Sequence, residues 1–141
     1  MNATEWLDLA VEQIHADPGA GAQGPPFPQV YVSSSAQALS QGLSDALALD
    51  VAVTDSGGGT YIAACVGLKP SGGFSVAIRS ARRSEDHVAV RLSIQEPGRD
   101  GFSIQVITAP FAVALIRDVD PGGRTFSFEA DLNWEIVEVR S

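Results

Sequence analysis

From residue 60 onward, apolar and polar positions alternate with the period of a β-strand far more often than with that of a helix. Tyr61-Ile62-Ala63-Ala64-Cys65-Val66 is an unbroken apolar run, the signature of a strand covered on both faces. Phe74, Val76 and Ile78 alternate with Ser75, Ala77 and Arg79. Val88, Val90, Leu92 and Ile94 alternate in the same way with His87, Ala89, Arg91 and Ser93. Ser84-Glu85-Asp86 between these two runs predicts the tip of a long hairpin. Pro97–Gly101 then turns the chain, and Phe102, Ile104 and Val106 begin another strand. Pro110 interrupts it before Phe111, Val113 and Leu115 resume. After the turn Asp120–Gly123, the alternation of Phe126, Phe128, Ala130, Leu132, Trp134 and Ile136 predicts one long last strand, curved or bulged near Asn133.

The first sixty residues read differently. Leu7, Val11 and Ile14 share a helical face with Trp6 and Ala10 nearby, and Asn2 with Glu5 supplies a capping pair, so residues 3–15 are predicted to form an amphipathic helix. Residues 17–26 are too rich in Gly and Pro for either element, which divides the chain into an N-terminal helix and linker (1–27) and a β-rich domain (28–141). Gln29–Val32 predicts a short strand. Ser34 and Gln37 form a capping box for a second helix over 35–47, with Leu39, Leu43 and Leu47 on one stripe. Leu49–Val53 predicts another short strand, and Asp55–Gly59 a turn. The expected fold is mainly β (α+β): a curved antiparallel sheet forming a sandwich or half-barrel, with two helices packed on it.

The chain has 141 residues and 45% apolar content, which suits a single core. A net charge of −8 argues against a nucleic-acid partner, which calls for a basic patch. The one adjacent basic pair, Arg82-Arg83, reads as part of a solvated turn. No stretch is long and apolar enough to span a membrane, and the first residues lack a signal sequence. The expectation is a cytoplasmic protein as written, extracytoplasmic if the chain is a trimmed form.

Chemistry-bearing residues are sparse. His15 and His87 are the only histidines, one at a predicted helix end and one on the polar side of a strand, and their spacing offers no shared site. Cys65, within an apolar run, reads as a buried inert thiol. Asp118 and Asp120 offer too few oxygens for calcium and read as turn stabilisers. Asp55–Gly59 lacks the Gly-Lys-Ser/Thr and the helix of a phosphate loop. With no nucleophile–base pair to assemble, the expectation is a protein that is not an enzyme and needs no cofactor or metal.

The most distinctive stretch is Gly67-Leu68-Lys69-Pro70-Ser71-Gly72-Gly73-Phe74. Pro70 fixes its own φ, and Gly72-Gly73 allow positive φ and close approach by another backbone. A plain hairpin needs only about two special residues at its turn. A rigid loop of this composition loses little entropy on binding, which suits a recognition wedge.

Taken in order, this stretch, the hairpin, Glu96-Pro97 and Gln105-Val106-Ile107-Thr108-Ala109-Pro110-Phe111 resemble the C-terminal domain of the PrcB family. The usual wording there is close to Gly-x-Lys-x-Thr-Gly-Gly-Tyr and Gln-x-x-Thr-x-Pro-Tyr; here Phe74 and Phe111 stand where the family has Tyr. The resemblance covers about residues 28 to 117. The namesake of the family is an accessory subunit of a bacterial surface protease complex, so the resemblance implies a protein partner, and in particular a protease. The Pro-Ser-Gly-Gly-Phe loop also looks like the substrate-mimicking loop of chagasin-type inhibitors of papain-like proteases. Together these name Lys69, Pro70, Ser71, Gly72, Gly73, Phe74, Pro110 and Phe111 as the partner-binding residues of a non-enzymatic module. A second reading uses the face of the last strand, with Phe126, Phe128 and Trp134, to bind a small or lipid-like ligand. Oligomeric state is left open by the sequence.

Overall fold

The computed structural model describes residues 6–17, 28–48, 50–67, 74–95, 108–117, 119, 125–129 and 135–138. These form nine strands and one helix: β1 (Leu7–Leu9), β2 (Val11–Asp17), β3 (Gln29–Ser33), α1 (Ala36–Leu47), β4 (Gly59–Cys65), β5 (Ser75–Ser84), β6 (His87–Gln95), β7 (Phe111–Arg117), β8 (Thr125–Glu129) and β9 (Glu135–Glu138). They assemble into a four-stranded sheet, β1-β5-β6-β8, and a five-stranded sheet, β2-β7-β4-β3-β9. The result is a β-sandwich with α1 on the outer face of the five-stranded sheet. Most pairings are antiparallel, but β3 with β9 and β6 with β8 run parallel.

Two apolar layers hold it together. Between the sheets lie Val30, Val32, Ile62, Val76, Ile78, Val88, Val90 and Ile116. Between α1 and the five-stranded sheet lie Leu39, Leu43 and Leu47 against Tyr31, Tyr61, Phe111, Val113 and Leu115. The predicted leucine stripe is thus the face that docks the helix. Its N-cap is Ser35, whose Oγ accepts from the Ala38 N–H at 3.1 Å, one residue later than the expected Ser34. Ser34 is exposed, and the Ser33 hydroxyl accepts from the Ser35 N–H instead. Ser40 and Ser44 accept from the backbone N–H groups of Val53 and Val51. That tethers residues 51–53 to the helix as extended chain rather than as the strand expected over 49–53.

The largest departure is at the N-terminal side. Residues 7–17 are two strands and not a helix. β1 joins the four-stranded sheet beside β5, and β2 joins the five-stranded sheet beside β7. One stretch of chain therefore belongs to both sheets, turning between them at Ala10, whose carbonyl accepts from Arg117 N–H at 3.1 Å. Plain alternation points Val11 at the inter-sheet core and Ile14, three residues on, at the helix layer; the register shift between Gln13 and His15 then sets His15 opposite Val113. Because apolar residues of β2 meet a covering layer on either face, Leu7, Val11 and Ile14 fall at helical spacing without sharing one face. The expected caps Asn2 and Glu5 lie outside the described residues.

The expected hairpin is present, with Glu85-Asp86 as its two-residue tip and Glu85 at φ 55°. Arg82 and Arg83 lie within β5 rather than in a turn. The predicted long last strand is two strands in different sheets, β8 beside β6 and β9 beside β3. Residues 102–106 lie outside the described ones. β4 starts with Gly59 at φ +142°, where a Cβ would come within 2.3 Å of the Ile116 carbonyl oxygen. No helix among the described residues is long and apolar enough to cross a membrane.

Candidate functional site

The two segments carrying the sequence motifs are about forty residues apart in the chain, and the register of β4 with β7 brings their inner ends together. Cys65 lies opposite Phe111 and Ala64 opposite Ala112. One residue past the ladder, Val66 N–H donates to the Pro110 carbonyl at 3.0 Å. Gly67 follows at φ +99°, a left-handed conformation that glycine adopts without strain, and there the first motif departs from the sheet. The same edge of the five-stranded sheet is where β2 ends at Asp17 opposite Phe111, and where β3 and β9 begin at the paired residues Gln29 and Glu135.

Of the expected binding residues, Lys69, Pro70, Ser71, Gly72 and Gly73 lie outside the described ones. Phe74 is half-buried, immediately before β5. Pro110 is buried at the foot of β7, where its missing N–H costs no ladder bond and its carbonyl serves Val66. Phe111 is core rather than surface: it is 2% exposed, packed in the helix layer with the His15 ring 5.7 Å away. Its place on a central strand beneath α1 dictates this, and a phenyl ring suits it because no hydroxyl then has to be satisfied there. Both Pro110 and Phe111 therefore act as footing for the neighbouring chain.

Cys65 is buried, and burial pushes its thiol up to about 12, as an inert apolar site requires. His15 stands on an exposed strand position rather than at a helix end. Among the described residues no group of His, Cys, Asp and Glu side chains is arranged to hold a metal ion. Asp118, Asp120 and Trp134 lie outside the described residues.

A second constellation, which the sequence did not signal, occupies the outer face of the four-stranded sheet. His87 Nε2 is 2.8 Å from Ser127 Oγ, bridging β6 and β8. The Trp6 ring meets the His87 ring edge-on at 5.8 Å, and the Arg82 guanidinium lies 4.7 Å from the Trp6 ring centre. Arg82 and Arg91 both face Glu129, at 3.6 and 3.8 Å. The Ser127–His87 distance alone is that of a nucleophile and its base. Its setting, on regular paired strands of an open sheet face, is that of a cross-strand bridge. Only the sheet order could have revealed this group, because Trp6, Arg82, His87 and Ser127 come from four separate strands or strand ends.

No curated protein and no solved structure matches the chain. A family model does: the one described as PrcB C-terminal matches residues 60–117. Its span opens on β4, takes in the whole β5–β6 hairpin, and closes with β7. Over residues 60–117, then, this chain carries the pattern of the PrcB C-terminal family.

Proposed function

We propose that this protein is a non-enzymatic protein-binding module, an accessory, stabilising or inhibitory domain of a protease complex, and that it meets its partner through residues 67–74. The match to the PrcB C-terminal family supports the protease association. The observation that carries the choice of contact is the Val66–Pro110 hydrogen bond beside the Cys65–Phe111 pairing. It anchors Gly67 on β4 and β7, two strands with six of seven residues buried in each. A loop fixed at its base loses less freedom on binding than a free one.

The reading based on the β8 face is less well supported. Phe126 and Phe128 stack at 6.4 Å and pack against the inter-sheet core, so the surface a small ligand would need is engaged by the fold itself.

The test is affinity capture from a lysate of the source organism, with the Gly72→Ala/Gly73→Ala variant alongside and circular dichroism to verify its fold. Retention of a protease or protease precursor by the parent chain, with at least about tenfold less on the variant, is the expected outcome. Equal retention by both proteins would sink the loop as the contact.

A further inference from the structure

The chain carries a net charge of −8 and only nine Lys and Arg residues, yet four of the nine, Arg79, Arg82, Arg83 and Arg91, lie on the β5–β6 hairpin. Arg79, Arg82 and Arg91 emerge on the outer face of the four-stranded sheet, away from the loop edge discussed above. Arg79 Nε donates to Ser93 Oγ at 2.8 Å, a conventional hydrogen bond. Arg82 and Arg91 are placed differently. Their contacts with Glu129, 3.6 and 3.8 Å, are longer than hydrogen bonds, so one carboxylate sits between two guanidiniums and satisfies neither. Their side chains are 44% and 65% exposed.

Between them is a depression of about 190 Å³, bordered by Asp8 and Ser80. It exists because Ala89, at the centre of the face, is small: its neighbours are long, and it is 4% exposed beneath them. Beside it Trp6, against the Arg82 guanidinium, remains 38% exposed. An exposed tryptophan next to arginines is the composition of an interface anchor.

We propose that this face docks an acidic peptide segment of a partner protein, with one incoming carboxylate replacing that of Glu129 between Arg82 and Arg91 and an adjacent apolar side chain resting on Trp6. Glu129 shows the chemistry the depression accepts, and its long contacts leave guanidinium N–H groups for a better-placed acceptor. A nucleic acid is disfavoured as occupant, because the depression presents two guanidiniums, Arg82 and Arg91, which suit one carboxylate but not a run of phosphates. The inference rests on this face alone and stands or falls independently of residues 67–74.

The experiment is calorimetric titration of the full chain with a short peptide alternating glutamate and leucine, and with its glutamine counterpart. The glutamate peptide is expected to bind at least about tenfold more tightly, with affinity falling as salt rises. Arg82→Ala/Arg91→Ala is expected to weaken it about tenfold or more, and Trp6→Ala severalfold. Arg91→Gln, at the more exposed position, serves if the double variant does not fold. Arg79→Ala should stay within about twofold of the parent. Glu129→Gln provides the sharpest discrimination: removing the internal carboxylate should tighten binding about threefold, whereas an interface that merely used Glu129 as a contact would weaken. Absence of binding at millimolar peptide, equal binding of the glutamine peptide, unchanged or weaker binding by Glu129→Gln, or equal binding of a single-stranded oligonucleotide would each overturn the proposal.

Discussion

β7 and β6 are strands of similar length with opposite surroundings. β7 is central in the five-stranded sheet, with α1 on one side and the second sheet on the other, and six of its seven residues are buried. β6 is equally central in the four-stranded sheet, but only its inner side is covered, so Val88, Val90 and Leu92 are buried while Arg91 and Gln95 are exposed. Layer position alone turns an apolar run into an alternation. It also decides where polar chemistry can be displayed. The helix-covered sheet is left only its edges, whereas the other sheet has a whole face.

The contrast is broken most severely by stripping the helix layer. Leu43→Ala leaves a cavity in the layer between α1 and the five-stranded sheet and should cost about 3 kcal/mol in denaturant unfolding. The depth of that effect distinguishes the helix-covered sheet from the open one. Ser35→Ala, which removes the hydroxyl capping the first turn of α1, should cost about 1 kcal/mol by the same measurement.

These elements also show what the sequence could disclose. The leucine stripe, the apolar run of β4 and the hairpin were legible because each pattern is written within a single element. Residues 7–17 were not, because their conformation is set by partners some seventy to a hundred residues away and because Val11 and Ile14, packed into different layers, stand at a helix-like spacing. The last strand was read as one because apolar alternation does not reveal that Phe126 and Ile136 belong to different sheets. As for the site, the motifs were visible, but that Pro110 and Phe111 serve as footing depends on the β4–β7 register. Trp6, assigned to a helix, could not be placed against Arg82.

The smallest effect belongs to the corner where β2 meets the five-stranded sheet. Arg117 donates to Glu12 at 2.9 Å and to the Ser56 carbonyl at 3.0 Å. The hydrogen bond from Arg117, then one from the Ser56 side chain, hold the Glu12 carboxyl below its ordinary value of 4.5. A depressed carboxyl stabilises the fold above its unfolded-state value, and that contribution is lost as pH falls through the folded-state value. Glu12→Gln should therefore be slightly less stable than the parent at neutral pH and indistinguishable from it in acid, as followed by melting temperature from pH 7 to pH 3. A difference that persists in acid would assign the effect to packing.

The stretch that turns at Ala10 has a consequence for how the molecule is made. β1 and β2 leave the ribosome early, yet their partners are residues 81–83 and 111–116, and β3 in turn receives β9 from residues 135–138. Neither sheet can close until most of the chain has been synthesised. For that interval Leu9, Val11, Val30 and Val32 stand exposed on a nascent chain, and the protein's greatest vulnerability to aggregation falls during translation, before the fold exists to hide them.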